Sequence, residues 1–283
     1  MKRDLKGKRV VITGAASGLG RSLSLVLARK NCSIGVVDIN TERARETLDM
    51  VVNNGGSGEI YETDVSVAKN VETMAEHFFQ TWGGVDLLVN NAGVAVAGYV
   101  GNISLKDWEW LYGVNFWGML YGCHSFIPRM KAHGGGYIMN VASSAGILCS
   151  PEMAPYNTSK AAIISLSETL YAELAPFNIG VTALCPMFFK TNLIENTRSE
   201  TEMEQKLAEA AFNNARITSD EVAEAAIKAV EKGRLYCIPQ FSGKFHWVMK
   251  RLNPHSYYRN NAALNRKGRL IPMMYWMARK GMV

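Results

Sequence analysis

Tyr156 and Lys160 are spaced so that one side chain can tune the acid–base chemistry of the other. They lie four residues apart in the run APYNTSK, at the start of a segment with helical character. Side chains at positions i and i+4 meet on one face of a helix. A tyrosine titrates near about 10, and a nearby ammonium group favours the phenolate. The spacing therefore predicts that Lys160 lowers the pKa of the Tyr156 phenol, although a packed tyrosine beside a solvated lysine gives the same pattern.

A glycine-rich turn is the second feature with chemical meaning. The run TGAASGLG follows a probable strand and opens a probable helix. Amide groups at a helix N-terminus bind phosphate, and glycine lets a pyrophosphate approach the backbone. The candidate phosphate-binding residues are Gly14, Ser17, Gly18, Leu19 and Gly20.

Asp38 ends the second probable strand, beyond the glycine-rich turn. A carboxylate in this position accepts hydrogen bonds from an adenosine ribose diol and repels a 2′-phosphate. The alternative is a turn with a capping aspartate. The combination of strand, turn, helix and acidic residue favours dinucleotide binding, with NAD preferred over NADP.

The elements that must position these residues alternate along the chain. Apolar runs of strand length alternate with longer amphipathic segments between Lys8 and Ile238, which is typical of βαβ units with a parallel sheet. The probable strands are RVVITG, SIGVVD, EIYETD, VDLLVN, GYIMNV, GVTALCP and RLYCIP. We therefore predict a single α/β domain with a doubly wound parallel sheet of about seven strands over residues 1–238, followed by an extension over residues 239–283.

Composition narrows the functional classes. The chain has 283 residues and is 48% hydrophobic, enough for a sizeable core. Its five cysteines form no C-x-x-C pair and its five histidines show no ligand spacing, so we expect neither a disulfide framework nor a metal site. The N-terminal run lacks the pattern of a signal peptide, and a cytoplasmic protein is expected. The uncharged run 110–128 contains Asn115 and three glycines, which favours a buried helix over a membrane span.

Charge is distributed unevenly. The first 231 residues carry 20 basic and 25 acidic side chains, whereas the last 52 carry 11 basic and no acidic ones. The net charge of +6 therefore describes a tail and does not indicate a nucleic-acid-binding body. Aromatic residues and methionines interleave with these basic residues. A membrane interface, an acidic acyl-carrier partner, a lid over a pocket and a solvated tail docked on the body all remain open.

Taken together, the motifs resemble the short-chain dehydrogenase/reductase family, which has a Rossmann fold. The match covers roughly residues 7–238. Five patterns carry it, in this order: TGAASGLG, NNAG at 90–93, Asn115, Ser143 in NVASSAG, and Tyr156-x-x-x-Lys160.

The resemblance implies a set of catalytic residues. Tyr156 would be the general acid/base that exchanges a proton with the substrate oxygen. Lys160 would lower the phenol pKa and bind the nicotinamide ribose. Ser143 would hydrogen-bond the substrate oxygen, and Asn115 would hold a backbone kink and a water that relays protons to Lys160.

The resemblance also implies cofactor contacts beyond the glycine-rich turn. Asn90 and Gly93 would place backbone against the adenosine ribose and steady the sheet. Asp64 would meet the adenine amine. The further cofactor-binding residues implied are Val65, Asn91, Ala92, Gly93, Tyr156, Lys160, Pro186 and Thr191. Met187 stands where the family usually has glycine, so a left-handed turn there would be strained and the loop is expected to differ.

The resemblance implies an NAD(P)-dependent oxidoreductase acting on a secondary alcohol or ketone. The apolar segments GILCSPEMA, VAVAGYV and MFFKTNL would border the nicotinamide, which suggests a lipophilic substrate, although they could also only pack a lid on the body. The alternative function is a dinucleotide-binding sensor without turnover. A homodimer or homotetramer is expected, and association with a membrane is left open.

Overall fold

The computed structural model describes residues 4–190, 197–199 and 201–281. Within that part of the chain, seven strands form one parallel sheet. They are β1 (Arg9–Thr13), β2 (Ser33–Asp38), β3 (Ser57–Glu62), β4 (Leu87–Asn90), β6 (Gly136–Val141), β7 (Ile179–Leu184) and β9 (Tyr236–Cys237). Two further strands, β5 (Ala95–Ala97) and β8 (Thr197–Ser199), pair with each other.

Helices follow the strands in alternation. They are α1 (Gly18–Ala28), α2 (Thr41–Asn53), α3 (Ala68–Trp82), α4 (Leu105–Tyr112), α5 (Gly118–Ala132), α6 (Ala145–Leu148), α7 (Ala154–Glu173), α8 (Glu202–Asn213), α9 (Ser219–Glu231), α10 (Phe241–Leu252), α11 (Pro254–Arg266) and α12 (Leu270–Arg279). A π-helical turn, Gly113–Trp117, joins α4 to α5.

The strand order is β3-β2-β1-β4-β6-β7-β9. The chain winds outward from β1 in one direction and from β4 in the other, so the order reverses between these two strands. In such a sheet the ligand crevice lies beyond the carboxyl ends of the strands, at the reversal. The predicted doubly wound α/β fold is confirmed, and all seven probable strands are present.

Helices cover both faces of the sheet, as the continuous apolar strands require. Val10 and Ile12 of β1 pack in one core cluster with α1, α2 and α9, whereas Val11 packs in the opposite cluster with α3, α5 and α7. All three valine and isoleucine side chains are buried. Alternate residues of one strand therefore hold two helical layers.

The uncharged run becomes the end of α4, the π-helical turn and most of α5. Its glycines allow close packing: a Cβ added at Gly122 would collide with the Asn90 side chain, and one at Gly118 would lie 2.9 Å from Val65 Cγ2. Within the described ranges, no helix is long and apolar enough to cross a membrane.

The extension forms three helices, α10 to α12, and packs back on the body. The Lys250 ammonium of α10 hydrogen-bonds the Ile147 carbonyl of α6. At the other end, Arg216 donates to the carbonyl oxygen of Lys280. The extension therefore contacts the body at two places, α6 and the segment between α8 and α9.

Candidate active site

The four predicted catalytic residues lie on three elements that meet at the carboxyl end of the sheet. Ser143 follows β6, Tyr156 and Lys160 occupy the first two turns of α7, and Asn115 lies in the π-helical turn. The Tyr156 hydroxyl lies near the Ser143 side chain, which lowers the pKa of the phenol. The Ser143 hydroxyl oxygen also accepts from the Ala145 amide at 3.1 Å, which fixes its direction.

The Lys160 side chain is anchored by a hydrogen bond to the backbone of the sheet. Its Nζ donates to the carbonyl oxygen of Val141 at 2.9 Å and lies 5.6 Å from the centroid of the Tyr156 ring. The lysine is only 3% exposed. Burial disfavours the ammonium form and lowers the pKa of Lys160 to about 8.

Burial dominates the pKa of Tyr156 in this structure, and the predicted lowering of that pKa by Lys160 stays a prediction. Burial raises the pKa of Tyr156 to about 12, because the phenolate loses its hydration, and the Ser143 side chain offsets only part of that effect. The lysine cation is directed at the Val141 carbonyl. The spacing rule brings the two side chains together but does not report the burial that both share.

Asn115 links three segments of the site. Its Oδ1 accepts from the Val94 amide at 2.8 Å, and its Nδ2 donates to the Val94 carbonyl at 3.0 Å and to the Ser159 hydroxyl at 3.3 Å. These bonds hold the π-helical turn against β5 and α7. The side chain is completely buried, and a water relay from it to Lys160 stays a prediction.

The glycine-rich turn has the backbone that the sequence suggested. Gly14 and Gly18 have φ values of +65° and +50°, which favour glycine. A Cβ at Gly20 would collide with the Gly14 carbonyl, so α1 approaches the turn closely. Ser17 is the residue before α1 and its side chain makes no capping hydrogen bond within the described chain. The first amides of α1 are therefore available to an anion.

Asp38 is oriented toward this turn. Its Oδ2 accepts from the Ala16 amide and its Oδ1 from the Asn40 amide, each at 3.0 Å. Two backbone donors thus hold a carboxylate at the end of β2, beside the glycines. One strand further along the sheet, Asp64 accepts from the Ser66 amide at 2.9 Å and stays exposed, while its neighbour Val65 is buried.

The NNAG residues divide between the sheet and the site. Asn90 donates to the Asn140 Oδ1 at 2.9 Å and steadies the sheet. Asn91 donates to the carbonyl oxygens of Thr13 and Gly14 at 2.9 and 3.0 Å. It therefore pins the glycine-rich turn through its side chain, a role that the motif alone does not specify.

The next two residues of the motif lie at the crevice. The Ala92 backbone lies within 2.8 Å of where a Gly14 Cβ would be, so these two segments meet backbone to backbone. Gly93 lies next to the side chains of Asn115 and Lys160, because a Cβ placed on it would be 3.4 Å from Oδ1 and 3.5 Å from Nζ. Gly93 thus lies beside Lys160, and its contact with the adenosine ribose stays a prediction.

The loop after β7 begins as predicted with Pro186, whose carbonyl accepts from the Ser144 amide at 2.9 Å. The expected Thr191 contact lies outside the described residues. Met187 avoids strain: it is not among the described non-glycine residues with positive φ. Its amide donates to Gln240 Oε1 at 3.0 Å, and Gln240 Nε2 donates to the Phe188 carbonyl at 3.2 Å. Sequence reasoning missed Gln240, because a partner 53 residues away leaves no local signal.

A cavity of about 250 Å³ adjoins the Ser143 and Tyr156 pair. Its wall on the body is largely apolar and includes the loop residues Met187, Phe188 and Phe189. The extension supplies a second wall: His246, Tyr257, Asn261, Leu270, Ile271, Met273, Met274, Met277 and Ala278. Of the four roles left open for the basic tail, the structure provides contacts for two, docking on the body and covering a pocket.

The residues present fit a dinucleotide. The turn between β1 and α1 leaves the space that a Cβ would fill, its amides point outward from a helix N-terminus, and a carboxylate stands at the end of β2. Those features suit a pyrophosphate and a ribose diol respectively. The arrangement continues to Lys160 and Tyr156, so one extended molecule could reach both regions.

Comparisons with known proteins agree with this geometry. The sequence pattern of the family described as short chain dehydrogenase matches residues 8–202. The CLA biosynthesis dehydrogenase/reductase of Lactiplantibacillus plantarum is 30% identical over 273 residues, covering 88% of this chain and 94% of that protein. The cyclohexanol dehydrogenase of Acinetobacter sp. (strain SE19) is 31% identical over 195 residues, covering 69% and 78%.

A solved structure is similar over most of the chain. It is a short chain dehydrogenase/reductase from Burkholderia phymatum in complex with NAD, and it matches with a TM-score of 0.84 at 30% identity. The match covers 89% of this chain and 95% of that one.

Proposed function

The chain belongs to the short-chain dehydrogenase/reductase family, and from that premise we propose that it transfers a hydride between a nicotinamide cofactor and a lipophilic secondary alcohol or ketone. The observation that carries the proposal is that Ser143 and Tyr156 lie together in the wall of a largely apolar cavity. Residues 1–238 would form the catalytic body, and residues 239–283 an extension that completes the pocket.

The chemistry follows from the two hydroxyl groups. A ketone oxygen placed between Ser143 and Tyr156 accepts a hydrogen bond from each, which orients the carbonyl carbon. The bound nicotinamide supplies the hydride. As negative charge develops on the substrate oxygen, Tyr156 donates its phenolic proton, and alcohol oxidation runs the same steps in reverse. A phenol with a raised pKa is fully protonated at neutral pH and is ready to act as the acid.

Lys160 and Asn115 position the acid. The Lys160 amine is hydrogen-bonded to the Val141 carbonyl and lies beside the phenol ring. This anchor fixes the position of the amine in both its charged and its neutral form. When charged, it stabilises the phenolate left after proton transfer. Asn115 holds the turn through which α7 meets β5.

A lipophilic substrate is supported by the lining of the cavity. The phenylalanines after β7 and the leucine, isoleucine and methionines of α12 present hydrocarbon, and none of the lining residues is an arginine or a lysine. Such a lining favours an apolar substrate and offers no cationic side chain to a phosphorylated substrate.

A sensor that binds dinucleotide without turnover is the alternative function. The assembled Ser143, Tyr156, Lys160 and Asn115 set favours the enzyme, because a sensor has no need of an acid beside a cavity. Nicotinamide absorbance measured with a panel of secondary alcohols and ketones separates the two. Turnover of any member supports the enzyme, whereas cofactor binding with no change in absorbance across the panel would support the sensor.

Members of this family commonly form oligomers, and we propose a homodimer or homotetramer in the cytoplasm. A nucleic acid partner is not proposed, since the excess of positive charge is confined to the last 52 residues. We also propose peripheral contact of that tail with an anionic membrane. Helix α10 turns an apolar face outward, where Phe241 is 81% and Leu252 is 76% exposed. An acidic acyl-carrier protein is the competing partner for the same surface.

A further inference from the structure

Three polar side chains of the extension lie together in the wall of the largely apolar cavity. His246 belongs to α10, and Tyr257 and Asn261 belong to α11. The Tyr257 hydroxyl is hydrogen-bonded to His246 Nδ1 at 3.4 Å, and the nearby Asn261 side chain lowers the pKa of that hydroxyl. The two rings meet edge to face, with centroids 6.0 Å apart.

The surroundings make this polar cluster conspicuous. The other cavity-lining residues of the extension all belong to α12, and all of them are apolar. Polar groups in such a setting cost free energy unless they are hydrogen-bonded. A hydrophobic lid would be served equally well by leucine or phenylalanine at these positions, so simple covering does not account for them.

The cluster retains hydrogen-bonding capacity. A neutral imidazole has one donor and one acceptor nitrogen, so with Nδ1 facing Tyr257 the Nε2 atom remains for another partner. The Asn261 amide has two donors and an acceptor, more than one contact with Tyr257 uses. Burial lowers the pKa of His246, which keeps the imidazole neutral at neutral pH. A neutral oxygen therefore suits the cluster better than a carboxylate does.

Helix α10 carries His246 on the face that packs against the body. Gly243 is buried and Lys250 bonds to the α6 carbonyl on the same side as His246, whereas Phe241, Phe245 and Leu252 are exposed. The imidazole is thus directed into the cavity by the packing of the helix on the body. It is not a surface residue that happens to border an opening.

We propose that His246, Tyr257 and Asn261 form a second recognition site that binds a hydroxyl or carbonyl oxygen of the substrate, remote from the carbon that reacts. The proposal rests on the proposed function. It narrows the substrate class to an elongated, lipophilic alcohol or ketone with a second neutral oxygen. The reacting oxygen binds to the body at Ser143 and Tyr156, and the remote oxygen binds to the extension.

The test uses a series of methyl ketones of increasing alkyl chain length, each paired with the analogue that carries a hydroxyl at the far end of the chain. Wild-type protein should show, at one range of lengths, a KM about tenfold lower for the hydroxylated member, as expected for one added hydrogen bond to a half-buried polar group. The double variant His246→Leu with Tyr257→Phe should lose that preference. Its KM values for the two members of each pair should become equal.

The control is Tyr258→Phe, which removes a hydroxyl from the next residue of the same helix, outside the cavity lining. It should leave the preference intact. NADH affinity, measured by fluorescence, reports whether each variant is folded. No preference at any chain length in the wild type, or an unchanged preference in the double variant, would overturn the proposal.

Failure of the proposed function would look different, because neither ketone of any pair would then be turned over. Calorimetric titration of the same pairs still tests the cluster in that case. Tighter binding of the hydroxylated member to the wild type but not to the double variant supports the second recognition site without turnover. Equal binding of both members contradicts it.

Discussion

At the residue scale, burial acts in opposite directions on the pKa values of the two residues that first suggested chemistry. It raises the pKa of Tyr156 to about 12 and lowers that of Lys160 to about 8. Both shifts favour the neutral form, since the loss of hydration penalises any charge. The Tyr156 phenol and the Lys160 amine are therefore both largely uncharged at mildly alkaline pH.

The lowered pKa of Lys160 predicts a pH-dependent stability. Between pH 8 and pH 10.5 the unfolded lysine binds a proton that the folded one has released, so the free energy of unfolding rises with pH in that window. Relative to Lys160→Met, the wild type should gain about 3 kcal/mol across it. Urea unfolding of both proteins at the two pH values measures this difference, and the groups that titrate in both cancel. If the free energy of unfolding changes equally with pH in both proteins, Lys160 titrates as an exposed lysine does and the prediction is contradicted.

Asp38 predicts the choice of cofactor. Its carboxylate is held at the end of β2 by two backbone amides and would face a 2′-phosphate with like charge. Repulsion of a few kcal/mol gives kcat/KM at least about tenfold higher with NAD than with NADP. Asp38→Asn should reduce that ratio.

Asp64→Asn is the matched control for the cofactor prediction. It removes a carboxylate from the neighbouring strand end and should weaken both cofactors alike, leaving the ratio unchanged. Equal kcat/KM values for NAD and NADP in the wild type would count against the assignment of Asp38.

At the scale of elements, the alignment of Ser143 with Tyr156 depends on how closely α6 packs against α7. Gly146 makes this possible: a Cβ on it would lie 2.5 Å from the Lys160 carbonyl carbon. Real Cβ atoms do not approach backbone so closely. The two helices must therefore separate if the glycine is replaced.

Gly146→Ala should lower kcat by about tenfold or more through misplacement of the catalytic pair, while NADH affinity changes little, because the glycine-rich turn is distant. Gly101→Ala is the matched control. Gly101 has no atom within 4 Å of an added Cβ and no positive φ, so its replacement should leave kcat unaltered. If both variants behave alike, the packing argument fails.

Sequence reasoning performed differently for different elements. The inner strands were predictable because they are continuous apolar runs, as expected for a parallel sheet with two covered faces, whereas β3 is more polar and lies at the edge of the sheet. The β5 and β8 pair was not, since three-residue strands carry no periodicity. Tyr156, Lys160 and Asn115 were predictable as a spaced set. Gln240 was not, because its partners are distant in sequence.

The extension shows the same limit. Its basic and aromatic composition was visible, but composition does not tell which face of a helix packs inward. Only the folded chain shows that His246 lines the cavity while Phe241 is exposed. The rise in the pKa of Tyr156 has no local sequence signal either, because burial is set by elements that the i to i+4 rule does not consider.

At the scale of the whole molecule, the tail predicts salt-dependent membrane binding. Its 11 basic residues would each contribute about 1 kcal/mol near an anionic bilayer, and the exposed face of α10 would add an insertion component. Co-sedimentation with anionic vesicles should be strong at low salt and weaker at high salt.

The variant Phe241→Glu with Leu252→Glu should bind such vesicles less well, because it places charge on the exposed face of α10. Val52→Glu is the control, as Val52 is an exposed apolar residue on α2. Absence of the wild type from the vesicle pellet at low salt would exclude a membrane. An acidic acyl-carrier protein would then be the partner to test.

The central claim is that Tyr156 is the acid and base of a hydride transfer, and the turnover of Tyr156→Phe tests it most directly. Phenylalanine keeps the ring and removes only the transferable proton. With a lipophilic secondary alcohol or ketone that the wild type converts, we expect kcat to fall by about 10² or more, while the affinity for NADH and the unfolding curve stay close to wild type. A variant that retains near-wild-type kcat would contradict the account.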